Sequence, residues 1–305
     1  VLGANDGTAT ANVTNPQGNI TYLWNDPLSQ TTQTATGLSA GTYTVIVTDD
    51  IIADPLCTAT DSGTVEADVD PNAISGIQVW YDFGDATKIN TGTPVLNDPI
   101  ETLLDKSVNG FNGSQSTANF RPLWKTTYAL FDGANDSIDC GTNFSKLPDR
   151  TVFFVFKIVT LNNKWPYGEA NSLAQGVSSG LSLRERNFNS RFEPQYGDGT
   201  NTRITGSSTA PTVNLMLYND RFVSSDGDPL LQIEVDGAAQ TEVNISGSAT
   251  SIGGTAYKFF LGKLGESFIG YSNIEMYDFA VWNRKLTDEE NAQMTTYFNN
   301  KHSIF

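Results

Sequence analysis

Apolar and polar positions alternate with a period of two through most of the chain, which predicts strands rather than helices. In the run Gly41 to Thr48, Tyr43, Val45 and Val47 point one way and Thr42, Thr44, Ile46 and Thr48 the other, the pattern of a half-buried strand. Comparable runs cover Thr8–Val13, Ile20–Trp24, Thr31–Leu38 and Cys57–Val65, with Gly, Asn and Pro clusters between them. Short strands punctuated every ten residues or so predict a small β-sandwich over residues 1–70. Residues 71–76 read as a short polar connector starting at Pro71.

From residue 77 to 305 the strands lengthen and the aromatic content rises. Val152, Phe154, Phe156 and Ile158 alternate with Phe153, Val155, Lys157 and Val159, so both faces are apolar until Lys157. That predicts a strand in the middle of a packed sheet. Asp236-Gly237 after a short strand is a type I′ hairpin signal. Thr287 and Glu290 form a capping box, which starts a helix expected to run to about Asn299 with Met294, Tyr297 and Phe298 on its apolar stripe.

Two stretches of the chain resemble known families. "NDGTATANV", "ITYLWND" and "GLSAGTYTVIVTDD", over most of residues 3 to 67, resemble the SprB-type repeat, an immunoglobulin-like module of bacterial surface adhesins. That resemblance implies a spacer. Many such repeats carry a cysteine ahead of the first glycine, where this chain has Leu2, and this leaves Cys57 without its usual partner. Further on, "GIQVWYDFGDATKI", "LLDKSVNGFNGSQSTANFRPLW", "ALFDGANDSIDCG", "RTVFFVFKIV", "LQIEVDGAAQ" and the run from Phe259 to Glu290 follow in order. Their order and spacing resemble the LamG-like, concanavalin A-type jelly roll, two packed antiparallel sheets with a short terminal helix. The expected fold is therefore all-β throughout, an immunoglobulin-like sandwich followed by a jelly roll.

Composition narrows the partners. With 17 Phe, 11 Tyr and 5 Trp the chain can fill real cores, while 34 acidic against 18 basic residues give a formal charge of −16. Such a chain is repelled by phosphate backbones, so no nucleic-acid partner is expected. No run of about 18 apolar residues exists to insert in a membrane. The start at Val1 rather than Met fits a mature fragment or a piece of something longer.

Catalysis is tested against the chemistry it needs. A glycosidase needs two carboxylates flanking one bond. Glu275 and Asp278 are three apart in one strand, and a strand alternates faces at every residue, so they are expected on opposite faces and unable to flank one bond. Glu234-Val-Asp236 has Ala239 where a third acid is required. Leu183-Arg-Glu-Arg186 resembles the Arg-rich strand of alginate lyases, but the single histidine, His302, is expected beyond the terminal helix. The expectation is a chain that is not an enzyme.

Binding chemistry is better supplied. LamG-like domains carry calcium at the sandwich rim, and Ca²⁺ takes hard oxygen ligands from turns. Asp132, Asn135, Asp136 and Asp139 form the densest cluster of such oxygens, and Asp278 is a carboxylate on a strand face shared with Met276 and Ala280. Equally, Asp132 and Asp136 can close an Asx-type turn and Asp278 can pair with an arginine. Sugars need aromatic platforms and planar polar groups. The long polar segment 161 to 205 holds Trp165, Tyr167, Arg186, Arg191 and Tyr196 as candidates, against the reading that Trp165 and Tyr167 cap the core while the arginines pair with acids. The function expected is extracellular recognition or adhesion, with polysaccharide as partner, on a phage virion appendage or a bacterial surface. A purely structural virion decoration or fibre protein is the alternative, and a polysaccharide-active enzyme is the third reading.

Overall fold

A computed structural model describes residues 7–50, 57–65, 69–142, 149–161, 164–169, 181–186, 191–197, 202–204, 213–223, 230–240, 258–265 and 270–305. The chain divides into two compact units, Val1–Val69 and Asp70–Phe305. The expected connector belongs to the second of these. Trp282 Nε1 donates to Ile74 O, Asn283 N to Gly76 O, and Arg284 Nε to Ser75 O, so residues 71–76 are bonded into the larger unit.

The first unit is a sandwich of β1 (Gly7–Thr10), β2 (Asn19–Trp24), β3 (Thr34–Leu38), β4 (Gly41–Asp50) and β5 (Cys57–Val65). β1 pairs with β3, and β2, β4 and β5 form the facing sheet. Ala11, Trp24, Ala35, Leu38, Tyr43 and Val45 fill the space between them. The two polar atoms buried with this core find partners: Trp24 Nε1 donates to Thr32 O and Tyr43 Oη to Ser39 O. Tyr43 thereby ties its strand to the preceding turn, as tyrosine corners do in immunoglobulin-like sandwiches.

The second unit begins with β6 (Ile77–Asp82), β7 (Thr102–Leu103), β8 (Gly113–Ser114), β9 (Leu123–Trp124), β10 (Ala129–Asp132) and β11 (Ile138–Asp139). It continues through the long β12 (Arg150–Thr160), then β13 (Tyr167–Glu169), β14 (Leu181–Arg186), β15 (Arg191–Gly197) and β16 (Thr202–Ile204). β17 (Leu215–Val223), β18 (Leu230–Val235), β19 (Ala238–Ala239), β20 (Phe259–Leu261) and β21 (Asn273–Trp282) precede the helix α1 (Asp288–His302). One sheet runs β19-β18-β17-β12-β21-β10-β9 with β6 also on β21; the other runs β16-β15-β14-β13-β20-β11-β8-β7. Their inner faces enclose one aromatic core in which Phe154, Tyr167, Phe259 and Phe279 stack or meet edge to face.

β12 lies between β17 and β21, and its residues from Arg150 to Phe156 are buried on both faces, as the double apolar pattern predicts. The second face is covered by α1. Trp80 meets Tyr297, and Phe153 meets both Trp282 and Phe298. Asp236 and Gly237 both have positive φ and close the β18–β19 hairpin. Both bonds of the Thr287–Glu290 capping box form, but the helix runs on to His302, three residues past Asn299.

β21 departs from simple alternation. Val155 pairs with Asp278 and Phe156 with Met276, so Tyr277 is an extra residue, a β-bulge against β12. The bulge reverses the faces. Ile274 and Met276 enter the core before it, and Phe279 and Val281 after it. Glu275 and Asp278, opposite Lys157 and Val155 of one β12 face, consequently share the outer face with Ala280. The expectation that they point to opposite sides is corrected, as is the placing of Asp278 beside Met276.

Candidate functional site

The outer face of the second sheet carries a row of paired residues, Thr102, Ser114, Asp139, Phe260, Gly168 and Ser182, one from each of six adjacent strands. The part over β8, β11 and β20 opens into a cleft of about 220 Å³. Its lining is Ser114, Gln115, Ser116, Phe120, Ser137, Asp139, Lys258, Phe260 and Lys263.

Local bonding fixes each wall. Gln115 Nε2 donates to Ser137 O at 2.8 Å and to Ser137 Oγ at 3.2 Å. Arg121, behind the lining, donates to Gln115 O and Ser116 O and pairs with Glu101 at 3.1 Å. These contacts hold the 3₁₀ turn Ala118–Phe120 at the rim, where Phe120 is exposed. On the floor, Asp139 accepts from Gly141 N at 2.9 Å and from Lys258 Nζ at 2.8 Å. Lys263 is only 9% exposed, with its Nζ 4.2 Å from the Phe260 ring centroid. Gly262 has a positive φ, and a Cβ there would meet the Phe131 ring and Asp136 O, so only glycine lets the turn place Lys263 at this point.

A second polar constellation lies under the end of α1. Asp278 is fully buried and accepts from Trp80 Nε1 at 2.8 Å, Lys301 Nζ at 2.8 Å and His302 Nε2 at 2.6 Å. Asp82, its neighbour on β6, binds Lys106 and Lys301, each at 2.8 Å. Burial works to raise the Asp278 carboxyl, but the Lys301 and His302 contacts outweigh it and hold the group below the usual carboxylate range. Alongside, Tyr277 Oη donates to Glu275 Oε2 at 2.9 Å, and burial together with Glu275 raises the phenol.

The expected calcium ligands do not converge. Asp132 Oδ1 accepts from Ala134 N and Asn135 N, and Asp136 accepts from Asp132 N, which is the Asx-type turn. Asp139 is engaged by Lys258, and Asp278 by a lysine and a histidine in place of either a metal or an arginine. Among the described residues no group of three or more His, Cys, Asp or Glu is placed to hold a metal ion. Asp136 is pushed up to about 7, by burial first and by the Asp132 charge after it.

The expected sugar platforms are likewise redistributed. Tyr167 is wholly buried in the core, because β13 is an inner strand and Tyr167 faces inward against Phe154 and Phe279. Trp165 is half-buried with the Arg184 guanidinium 4.6 Å from its ring centroid. Backbone register sets Arg186 opposite Arg191, and Tyr196 opposite Leu181. The side chains of Arg186, Arg191 and Tyr196 lie outside the described residues. Of the named candidates the cleft gathers Asp139 alone. Lys258, Lys263, Ser114 and Phe120 come from distant segments, and only the sheet order brings them together.

The first unit has a larger opening, about 640 Å³, between β1 and β5. Its walls are mostly Ala, Thr and Val over the unit's core, and Asp61 is its single titratable side chain.

This chain shares its fold with solved sialidases. Trypanosoma rangeli sialidase in complex with sialic acid is 11% identical, with a TM-score of 0.50 over 86% of this chain and 43% of that one. A mutant of that enzyme displaying trans-sialidase activity is 11% identical, with a TM-score of 0.51 over 85% of this chain and 43% of that one. The ligand-binding domain of botulinum neurotoxin serotype D, in complex with N-acetylneuraminic acid, is 14% identical at a TM-score of 0.48, over 74% of this chain and 51% of that one. The chain thus spans less than half the length of the sialidases. No family model matches it, and no curated relative does.

The expectation of a chain that is not an enzyme is corrected at one point: the solved structures with which it shares its fold include sialidases. The alternation argument against catalysis falls with it, because the Tyr277 bulge puts Glu275 and Asp278 on one face. Among the described residues no helix is long and apolar enough to cross a membrane.

Proposed function

We propose that the second unit binds carbohydrate in the cleft over β8, β11 and β20. The observation that carries this reading is the composition of the lining. Three serine hydroxyls, an amide, a carboxylate and two ammonium groups surround the apolar Phe260, with Phe120 exposed at the rim. Sugars present this combination in complement, hydroxyls that both donate and accept and C–H faces that pack on rings. The sialidase crystallised with sialic acid on the same fold supports it.

In this reading the first unit is an SprB-type spacer and the second a LamG-like recognition domain. The protein acts outside the cell, on a virion appendage or a bacterial surface, and polysaccharide is its partner. A glycan array probed with the whole chain and with Phe120→Ala tests it. Binding weakened in the variant supports the cleft; binding indifferent to Phe120, or absent from every glycan, refutes it.

A second reading, hydrolysis of a sialoside, draws on the fold shared with sialidases. Release of a fluorogenic aglycone by the wild-type chain, lost in Glu275→Gln, supports it; no release contradicts it.

A further inference from the structure

The two layers of the first unit are unequal, and the shortfall has a position. β2, β4 and β5 form three strands, whereas β1 and β3 are the only strands opposite them among the described residues. Gly63, Asp61 and Ala59 of β5 pair with Tyr43, Val45 and Val47 of β4, so they share the core-facing side of the sheet. Tyr43 and Val45 are buried on that side, but Ala59, Asp61 and Gly63 are all exposed. The inner face of β5 is therefore uncovered, and the opening of about 640 Å³ between β1 and β5 is the space above it. We infer that this groove binds an extended peptide strand of a partner protein, with small or β-branched side chains turned inward and a basic residue at its centre.

Backbone chemistry comes first. Thr8 and Thr10 line the opening as well as Ala9, and Thr60 and Ser62 as well as Asp61, so it runs along the edges of both strands. Among the described residues β1 pairs with β3 alone and β5 with β4 alone. Each edge thus presents main-chain N–H and C=O groups to the groove, the template on which a strand is added. At one end the walls converge, where a Cβ on Gly7 would collide with the Val65 side chain. An added strand along β1 restores the missing layer over β5.

Side chains then set the sequence of the occupant. A Cβ at Gly63 meets nothing within 4 Å, and with Ala59 beside it and Val45 and Val47 behind, the floor has room for apolar side chains at alternate positions. Asp61 is the single titratable residue of the lining, exposed, with its carboxylate accepting from the adjacent Ser62 N at 2.8 Å. Opposite charges facing each other across strands are stabilising, so Lys or Arg suits the position over Asp61. A sugar finds no platform here, because Trp24, the one aromatic residue of the lining, is only 4% exposed. A second copy is disfavoured as well. Asp61 is the middle residue of β5, so antiparallel pairing of two β5 edges about that point sets carboxylate against carboxylate, in molecules each of formal charge −16.

The test titrates the whole chain with end-capped peptides: Thr-Val-Thr-Lys-Thr-Val-Thr, the same peptide with Glu for Lys, and Thr-Val-Pro-Lys-Pro-Val-Thr, which cannot complete a ladder. The lysine peptide should bind about fivefold tighter than the glutamate peptide, and the proline peptide should not bind. Hydrogen exchange should slow over residues 8–14 when the lysine peptide is bound. Asp61→Lys should reverse the preference between lysine and glutamate. Gly63→Phe should fill the floor and abolish binding, with an unfolding midpoint no lower than wild type because the added carbon has space. No binding of the lysine peptide, equal binding of the proline peptide, or binding that survives Gly63→Phe overturns the inference. A preference that Asp61→Lys leaves unchanged overturns the basic centre. Sedimentation showing a dimer that Gly63→Phe disperses gives the groove to a second copy and overturns the partner strand.

Discussion

His302 Nε2 lies 2.6 Å from the Asp278 carboxylate, which locks the last turn of the terminal helix to the outer face of the central sheet. Lys301 reaches the same carboxylate and also Asp82, so one turn of helix neutralises two buried acids. Both residues sit at the helix C-terminus, where the helix dipole favours a positive charge such as that of Lys301. Removing the shared acid takes one of two carboxylates from the largely buried Lys301 ammonium and leaves Trp80 Nε1 without its acceptor. Asp278→Ala should cost about 3–5 kcal/mol in urea unfolding, the range for breaking a buried ion pair from one side. A loss under about 1 kcal/mol would mean that the latch contributes little.

The same pair sets an acid limit on stability. The Asp278 carboxyl titrates below its usual value in the folded chain, so the folded state holds fewer protons than the unfolded state at mildly acid pH. Its contribution is complete above the unfolded pKa of about 3.9 and is lost as pH falls through the lower folded value. Glu290, held at about 2 by its bonds to Arg284, acts in the same sense. Unfolding midpoints should fall steeply below about pH 4, and the slope should be shallower in Asp278→Asn. An unchanged slope in that variant contradicts the assignment.

Asp136 works in the opposite direction. Its folded pKa of about 7 lies above the unfolded value of about 3.9, so its stabilising share is full at low pH and is lost as pH rises through 7. Asn at this position still offers an oxygen to Asp132 N and cannot ionise. Asp136→Asn should therefore raise the melting temperature at pH 8 relative to wild type, and by less at pH 5. A variant less stable than wild type at both values would contradict this.

Gly168 on β13 has no room for a side chain. A methyl group there collides with Leu264 O, Leu264 Cδ1 and the Ser182 Cβ, all under 3.0 Å. Gly168→Ala should destabilise by about 1–3 kcal/mol, the usual cost of overpacking. Calorimetry reads the effect. An alanine variant with wild-type stability would contradict this packing.

The sequence was informative where physics acts over a few residues. The double apolar pattern of Val152 to Ile158, the Asp236-Gly237 turn and the Thr287–Glu290 capping box each encode their own geometry. It misled at Tyr277, because counting faces assumes that no residue is inserted, and the bulge is defined by pairing with β12, more than a hundred positions away. Asp278 stood out correctly as an anomalous charge, but its partners lie in a helical turn expected to end at Asn299. Within the cleft only Asp139 was marked. Ser114, Lys258 and Lys263 carry no local signature, since they meet only through the order β8-β11-β20.

The central claim is that this cleft binds sugar, and the most direct measurement fills it. Ser114 is exposed on β8 and belongs to the cleft lining, so Ser114→Trp occupies the space without touching the core. Titration calorimetry with the best glycan from the array should show affinity reduced about a hundredfold or more, with the unfolding midpoint unchanged. Wild-type affinity in a stably folded Ser114→Trp chain would place the sugar elsewhere and contradict the account.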